Sequence, residues 1–162
     1  MTILHKRVTF KSLLKKPSCF LAYGFGAGLS PKAPGTVGTL VAIPLYWLMQ
    51  NWSLWLYLTV TLVAFVAGIW ICQQAVDWLK KEDPSAVVWD EIVGFWVTMI
   101  AAPTGWQWIV VGFVLFRLFD IWKPWPISVA DQKLHGGFGI MLDDILAGVF
   151  AFICLQLLAL MF

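Results

Sequence analysis

Apolar positions run almost unbroken through this chain, and charged ones interrupt them at a few places only. No acidic or basic side chain occurs in residues 33–76, 92–116 or 145–162, runs of 44, 25 and 18 residues. A membrane helix needs about 20 apolar residues, with a usable range of roughly 17–25. The first run therefore predicts two spans joined by a tight turn at residues 50–53, and the third run predicts one. The second run holds two shorter spans, with residues 102–105 as their turn. The predicted helices are 36–50, 54–76, 88–102, 106–122 and 142–161. This is an all-α, polytopic membrane bundle of about five transmembrane helices, forming a single membrane domain over residues 1–162.

The loops set the expected orientation. The turns at 50–53 and 102–105 and the C-terminus carry no charge, whereas Lys6, Arg7, Lys11, Lys15 and Lys16 precede the first span. Lys80 and Lys81 lie in the loop at 77–87, and Lys123 and Lys133 in the loop at 123–141. The positive-inside rule makes these three segments cytoplasmic, with the N-terminus in and the C-terminus out. Residues 1–18 read as a basic amphipathic segment, with Phe10, Leu13 and Leu14 opposite Lys11 and Lys15, lying on anionic headgroups. The competing reading of that segment is a frayed basic tail. The glycines and proline that follow it break the apolar run a signal peptide would need.

Composition narrows the class further. The hydrophobic fraction is 60% and the charged fraction 12%, against about 45–50% and 25% in ordinary soluble domains. Eleven Trp and twelve Phe exceed what a water-soluble core of this size can hide. A soluble globular domain, a disordered chain and a nucleic-acid binder are thereby disfavoured. A net charge of +2 names no partner. Cys19, Cys72 and Cys154 have neither metal-ligand spacing nor an even number, and read as apolar fillers.

Ionisable groups in or beside a membrane span are costly and point to function. Three sets occur. Asp90 and Glu91 open the third predicted helix, Arg117, Asp120 and Lys123 lie on its successor's last turns, and Asp143 and Asp144 open the fifth. Glu91, Gly94 and Thr98 share one helical stripe and Asp144, Gly148 and Ala151 another, so small residues below each acid permit close helix approach. Taken singly, each set has a plain explanation: acids complement a helix N-terminus, and Arg117 with Asp120 forms an ion pair. Taken together, five acids converge with an arginine and a lysine on one face of the bundle. Clustered carboxylates without Cys or His spacing suit a hard cation, Mg2+ above all. Arginine and lysine beside it suit phosphate.

Two glycine-rich segments fit the same picture. Residues 24–39 hold five glycines, Lys32 and three hydroxyl side chains before the first span, either as exposed N–H groups for an anion or as an interfacial turn. His135 begins the run His135-Gly136-Gly137, as a local hydrogen-bond donor or as a general acid or phosphate contact. A thiol-phosphatase loop, a two-histidine phosphohistidine pair, an Asp-x-Asp and an Asp-Gly-x-x-Ala-Arg signature are all missing from the sequence. Metal-assisted hydrolysis survives. A small cation transporter or channel is the alternative, although it calls for acids spread through the bilayer depth. A non-catalytic scaffold leaves the convergent acids unexplained.

Four motifs resemble the bacterial phosphatidylglycerophosphatase A family: Gly28-Leu-Ser-Pro-Lys-Ala-Pro-Gly-Thr-Val-Gly38, Val88-Trp-Asp-Glu-Ile-Val-Gly94, Phe116-Arg-Leu-Phe-Asp-Ile-Trp-Lys-Pro-Trp-Pro126 and His135-Gly-Gly-Phe-Gly-Ile-Met-Leu-Asp-Asp-Ile-Leu-Ala-Gly148. They stand in the family's order, and the likeness covers residues 20 to 160. The resemblance implies a Mg2+-dependent inner-membrane enzyme that hydrolyses phosphatidylglycerophosphate to phosphatidylglycerol and phosphate, with residues 19–162 as the phosphatase bundle. The roles expected on that reading place Asp90, Glu91, Asp143 and Asp144 around one or two Mg2+, and Asp120 as a further ligand or as the base. Arg117, Lys123 and Lys32 then bind phosphate, with Gly35, Thr36, Gly136 and Gly137 in the substrate-binding segments, and His135 protonates the leaving oxygen.

Overall fold

The structure, a computed structural model, describes residues 8–81 and 84–161. Among the described residues all regular elements are helical and no strand occurs. Eight α-helices follow one another: α1 (Phe10–Leu14), α2 (Pro17–Ala22), α3 (Pro34–Met49), α4 (Leu54–Leu79), α5 (Trp89–Thr98), α6 (Trp106–Trp122), α7 (Ile127–Lys133) and α8 (Gly136–Ala159). A 3₁₀ turn, Gly24–Leu29, joins α2 to the loop before α3. The five predicted long helices are present in order as α3, α4, α5, α6 and α8.

Local chemistry explains the helix ends. Pro34 opens α3 at a position where a missing N–H costs nothing. Ser53 caps α4 by accepting from the Leu56 amide at 3.4 Å. α4 and α6 each stop at a lysine, Lys80 or Lys123, in the left-handed conformation.

α5 is the axis of the bundle and packs on α8, α3, α4 and α6. Ile92, Val93 and Phe95 on it are fully buried, and Trp96 nearly so. The two small-residue stripes foreseen in the sequence meet here. A methyl group built on Gly148 would stand 2.5 Å from the Gly94 carbonyl, and one on Gly94 would stand 2.7 Å from the Phe116 ring. Only backbone fits between the helices at that crossing. Thr98 Oγ1 donates to the Gly94 carbonyl at 3.1 Å and reaches the Gly148 carbonyl at 3.4 Å. Tyr57 donates to the Trp96 carbonyl at 2.7 Å, and Gln156 Nε2 donates to the Ile100 carbonyl at 2.9 Å.

Three features differ from the sequence expectation. Two helices, α4 and α8, are long and apolar enough to cross a membrane, fewer than five. α5 has ten residues and rises about 15 Å, half a hydrocarbon core. Its neighbours enclose it and Gln156 takes the Ile100 carbonyl just beyond its end, so protein rather than lipid sets its length. Second, α8 starts at Gly136, so Asp143 and Asp144 lie two turns inside the helix instead of opening it. The reading of that pair as complements to a helix N-terminus is thereby removed, because the first turn of α8 holds no acid. Third, the loop at 123–141 folds into α7 after a cis Trp125–Pro126 bond.

Lys6 and Arg7 of the expected basic segment lie outside the described residues. From Val8 on the segment is folded: Thr9 and Ser12 form a reciprocal cap on α1, and Leu13 is buried while Phe10, Lys11, Leu14 and Lys15 face outward. Lys16 lies over the Trp78 ring at 5.3 Å. Cys19 and Cys72 are buried among apolar side chains and Cys154 is half-buried.

Candidate active site

One end of the bundle gathers the ionisable groups around a cavity of about 280 Å³. The antiparallel course of the long helices explains why. α5 and α8 run away from this end while α6 runs back to it, so the start of α5, the close of α6 and the first turns of α8 meet. Asp90 and Glu91 come from α5, Arg117 and Asp120 from α6, and Asp143 and Asp144 from α8. Lys123 caps α6, Ala33, Pro34 and Gly35 close the side toward α3, and His135 stands on the wall just before α8.

Asp90, Glu91 and Asp144 form the tightest group: one carboxylate oxygen from each lies within 4.8 Å of the other two. Asp90 and Asp144 are buried and Glu91 nearly so. Asp90 Oδ1, Glu91 Oε2 and Asp144 Oδ2 are buried without a hydrogen-bond partner. Such an oxygen costs on the order of 1–3 kcal/mol unless a ligand takes it. Arg117 is the nearest cation. It pairs with Asp120 one turn along α6 and stands 3.9 Å from Glu91, and its Nε is also unpartnered. Gly35 makes room for this arginine, because a side-chain carbon there would collide with Glu91 and stand 3.1 Å from Arg117 Nη1.

The donor set fits a hard divalent cation. It consists of oxygen alone, three carboxylates contribute, and each keeps a free buried oxygen.

Lys123 makes a separate cluster on the same cavity. Its ammonium lies 2.5 Å from Asp131 Oδ1 and 2.6 Å from Asp143 Oδ2. Burial works against the charge, but the hydrogen bonds to Asp131 and Asp143 outweigh it and hold the ammonium above the ordinary lysine range. Asp143, expected as a fourth metal ligand, therefore has one oxygen committed to Lys123 and stands apart from the trio.

Not every expected site residue reaches the cavity. Lys32 is exposed beyond its wall, and Thr36, in the first turn of α3, does not line it. Gly136 and Gly137 face α4: the Gly137 amide donates to Gln73 Oε1 at 2.9 Å, and a side chain there would strike the Ile69 carbonyl. That amide is occupied by protein. Gly24, Gly28 and Gly38 of the 24–39 segment press on the residues entering α5: a side-chain carbon at Gly24 or Gly38 would stand 2.7 or 2.6 Å from Val88, and one at Gly28 would strike the Ala86 carbonyl. Asp131 was missed by the sequence reading. It sits eight residues past Lys123, beyond a cis-proline turn, and no helical spacing links the two.

Carboxylates with free oxygens facing an arginine and a lysine across one small cavity equip an enzyme that acts on phosphate esters, and the fold that carries them is a helical bundle; the class is an all-α phosphatase. Within it, the family model of phosphatidylglycerophosphatase A matches residues 20–159, and the chain belongs to that family. It is 49% identical over 154 residues to "Phosphatidylglycerophosphatase A" of Escherichia coli (strain K12), covering 92% of this chain and 89% of the relative. It is 43% identical over 145 residues to the protein of that name in Haemophilus influenzae, covering 88% and 89%. A Bacteroides thetaiotaomicron relative, 43% identical over 152 residues and covering 86% and 94%, carries the provisional name phosphatidylinositol-3-phosphatase. No solved structure matches the chain.

Proposed function

We propose that the chain removes the terminal phosphate of phosphatidylglycerophosphate, giving phosphatidylglycerol and inorganic phosphate, with Mg2+ as cofactor. The observation that carries this reading is the trio Asp90, Glu91 and Asp144, whose buried, unpartnered oxygens share one cavity with Arg117. These three carboxylates hold the cation. When bound, it supplies neutralisation of phosphate oxygens and a more acidic water. Arg117 and Lys123 bind the phosphate, Arg117 through its planar fork and Lys123 as a point charge. Asp120, which already holds Arg117, takes the proton of the attacking water. His135, exposed on the cavity wall, returns a proton to the glycerol oxygen as its bond to phosphorus breaks.

The setting is the cytoplasmic face of a bacterial inner membrane. α3, α4, α6 and α8 surround α5 as one membrane bundle, with the N-terminus and the cavity on the cytoplasmic side. Two groups of exposed tryptophans support this placement: Trp47, Trp55 and Trp106 on turns away from the cavity, Trp122 and Trp125 beside it. Exposed Lys15, Lys16, Lys80, Lys81 and Lys133 crowd the cavity end, as a cytoplasmic face requires. A diacyl lipid then presents its headgroup to the cavity while its tails stay in hydrocarbon. The transporter alternative is not favoured, because the acids gather at one end instead of lining a path.

Phosphate release from phosphatidylglycerophosphate in mixed micelles, with Mg2+, with EDTA and with Mg2+ restored, tests the reading. Phosphatidylinositol 3-phosphate is the competing substrate, since one relative is named for it. The expected result is release that EDTA abolishes and Mg2+ restores, faster on phosphatidylglycerophosphate. Full release in EDTA, or preference for the inositol lipid, contradicts it.

A further inference from the structure

We propose that Asp131 is a positioning residue: it holds the Lys123 ammonium at the cavity wall, where the remaining N–H meets the substrate phosphate. The proposal rests on the lipid-phosphate reading above through the role given to Lys123. Lys123 leaves α6 in the left-handed conformation, φ 46°, which turns its side chain toward α7 and α8. There its ammonium bridges two carboxylates of unlike depth: the Asp143 side chain is 9% exposed and that of Asp131 is 36% exposed. An ammonium has three donors, so two bridges leave one for a ligand.

Lysine is a flexible four-carbon stem bearing a point charge, and a single partner does little to fix its direction. With Asp143 alone the ammonium would settle on the deeper carboxylate, away from an incoming phosphate. Asp131 draws it outward and fixes it between the helices. α7 is suited to that task. Buried Ile127 and Ala130 seat this seven-residue helix in the body, and it packs on α8. Of its residues, Asp131 is the one on the cavity wall. A pair this exposed contributes little to stability, so its consequence falls on binding.

Steady-state kinetics on phosphatidylglycerophosphate micelles, using Lys123→Ala, Asp131→Asn, Asp131→Glu and the double variant Asp131→Asn with Lys123→Ala, test the proposal. Asp131→Asn should raise KM roughly three- to tenfold, the scale of one ordinary net hydrogen bond, and change kcat less. Asp131→Glu should restore most of the KM. In the Lys123→Ala background, Asp131→Asn should add nothing, because its effect passes through the ammonium. An unchanged KM in Asp131→Asn, or the same loss with Lys123 already removed, overturns the role of Asp131 alone. Unimpaired Lys123→Ala would instead remove the phosphate role of Lys123, on which both readings rest.

Discussion

In the half of the bundle away from the cavity, buried polar groups are matched. Tyr57 donates to Trp96, Trp96 Nε1 donates to the Ala42 carbonyl at 3.4 Å, and Gln156 serves the Ile100 carbonyl. At the cavity end the same helices leave Asp90 Oδ1, Glu91 Oε2, Asp144 Oδ2 and Arg117 Nε buried and unpartnered. Among the described residues, the buried side-chain atoms without a partner all belong to the cavity. Packing alone would select against that arrangement, since each such atom costs on the order of 1–3 kcal/mol. The contrast separates what this fold needs in order to stand from what it keeps in order to act.

The sharpest way to break the comparison is to remove one unpartnered carboxylate. Asp144→Asn should lower phosphate release by at least about 100-fold, the upper range for losing a group that merely supports a metal ligand. Thermal unfolding of the same variant should stay level or shift upward, because a buried uncompensated charge has gone. Rate and melting measured on one preparation check both. Gly94→Val attacks the joint between the two halves. Its side chain would press on Phe116 and the Asp144 carbonyl and prise α5 from α8. A stability loss of about 1–3 kcal/mol is expected. Activity should fall at least about tenfold as the trio separates. Denaturation in detergent and initial rates report these effects.

Tyr57→Phe probes the matched half. It leaves the Trp96 carbonyl without its donor and should cost about 1 kcal/mol of stability, with kcat and KM unchanged. The smallest effect concerns pH. The charged form of Lys123 is favoured in the folded protein, so its pairing contributes fully below the unfolded lysine pKa of about 10.4 and fades as pH rises through the higher folded value. The difference in melting temperature between the wild type and Lys123→Met should therefore be flat from about pH 7 to 9 and shrink only at more alkaline pH.

Much of this was legible in the sequence because hydrophobic run length and charge position are strong signals in an apolar chain. The five long helices and both uncharged turns were read from charge-free runs. The Gly94 and Gly148 stripes followed from helical spacing below an acid, and they do meet. Helix length was less legible. A charge-free run does not reveal whether lipid or protein surrounds it, so α5 read as a span although neighbours enclose it. The start of α8 was misplaced because His135-Gly136-Gly137 reads as loop, whereas Gly137 is helix pressed on α4 through Gln73. The convergence of Asp90, Glu91, Arg117, Asp120, Lys123, Asp143 and Asp144 on one cavity is legible from sidedness. The split between a metal-fitting trio and a Lys123 clamp is not, because it depends on side-chain direction and on a turn with no helical register.

Divalent-ion binding to the intact protein in detergent tests the central claim most directly. Mn2+ serves as the probe, its free signal followed by electron paramagnetic resonance and Mg2+ added as competitor. Asp90, Glu91 and Asp144 holding the ion predict that the wild type depletes free Mn2+, that Mg2+ displaces it, and that Asp144→Asn loses most of the uptake while remaining folded. Equal uptake by the wild type and Asp144→Asn, or none by a wild type that hydrolyses its substrate in EDTA, would contradict it.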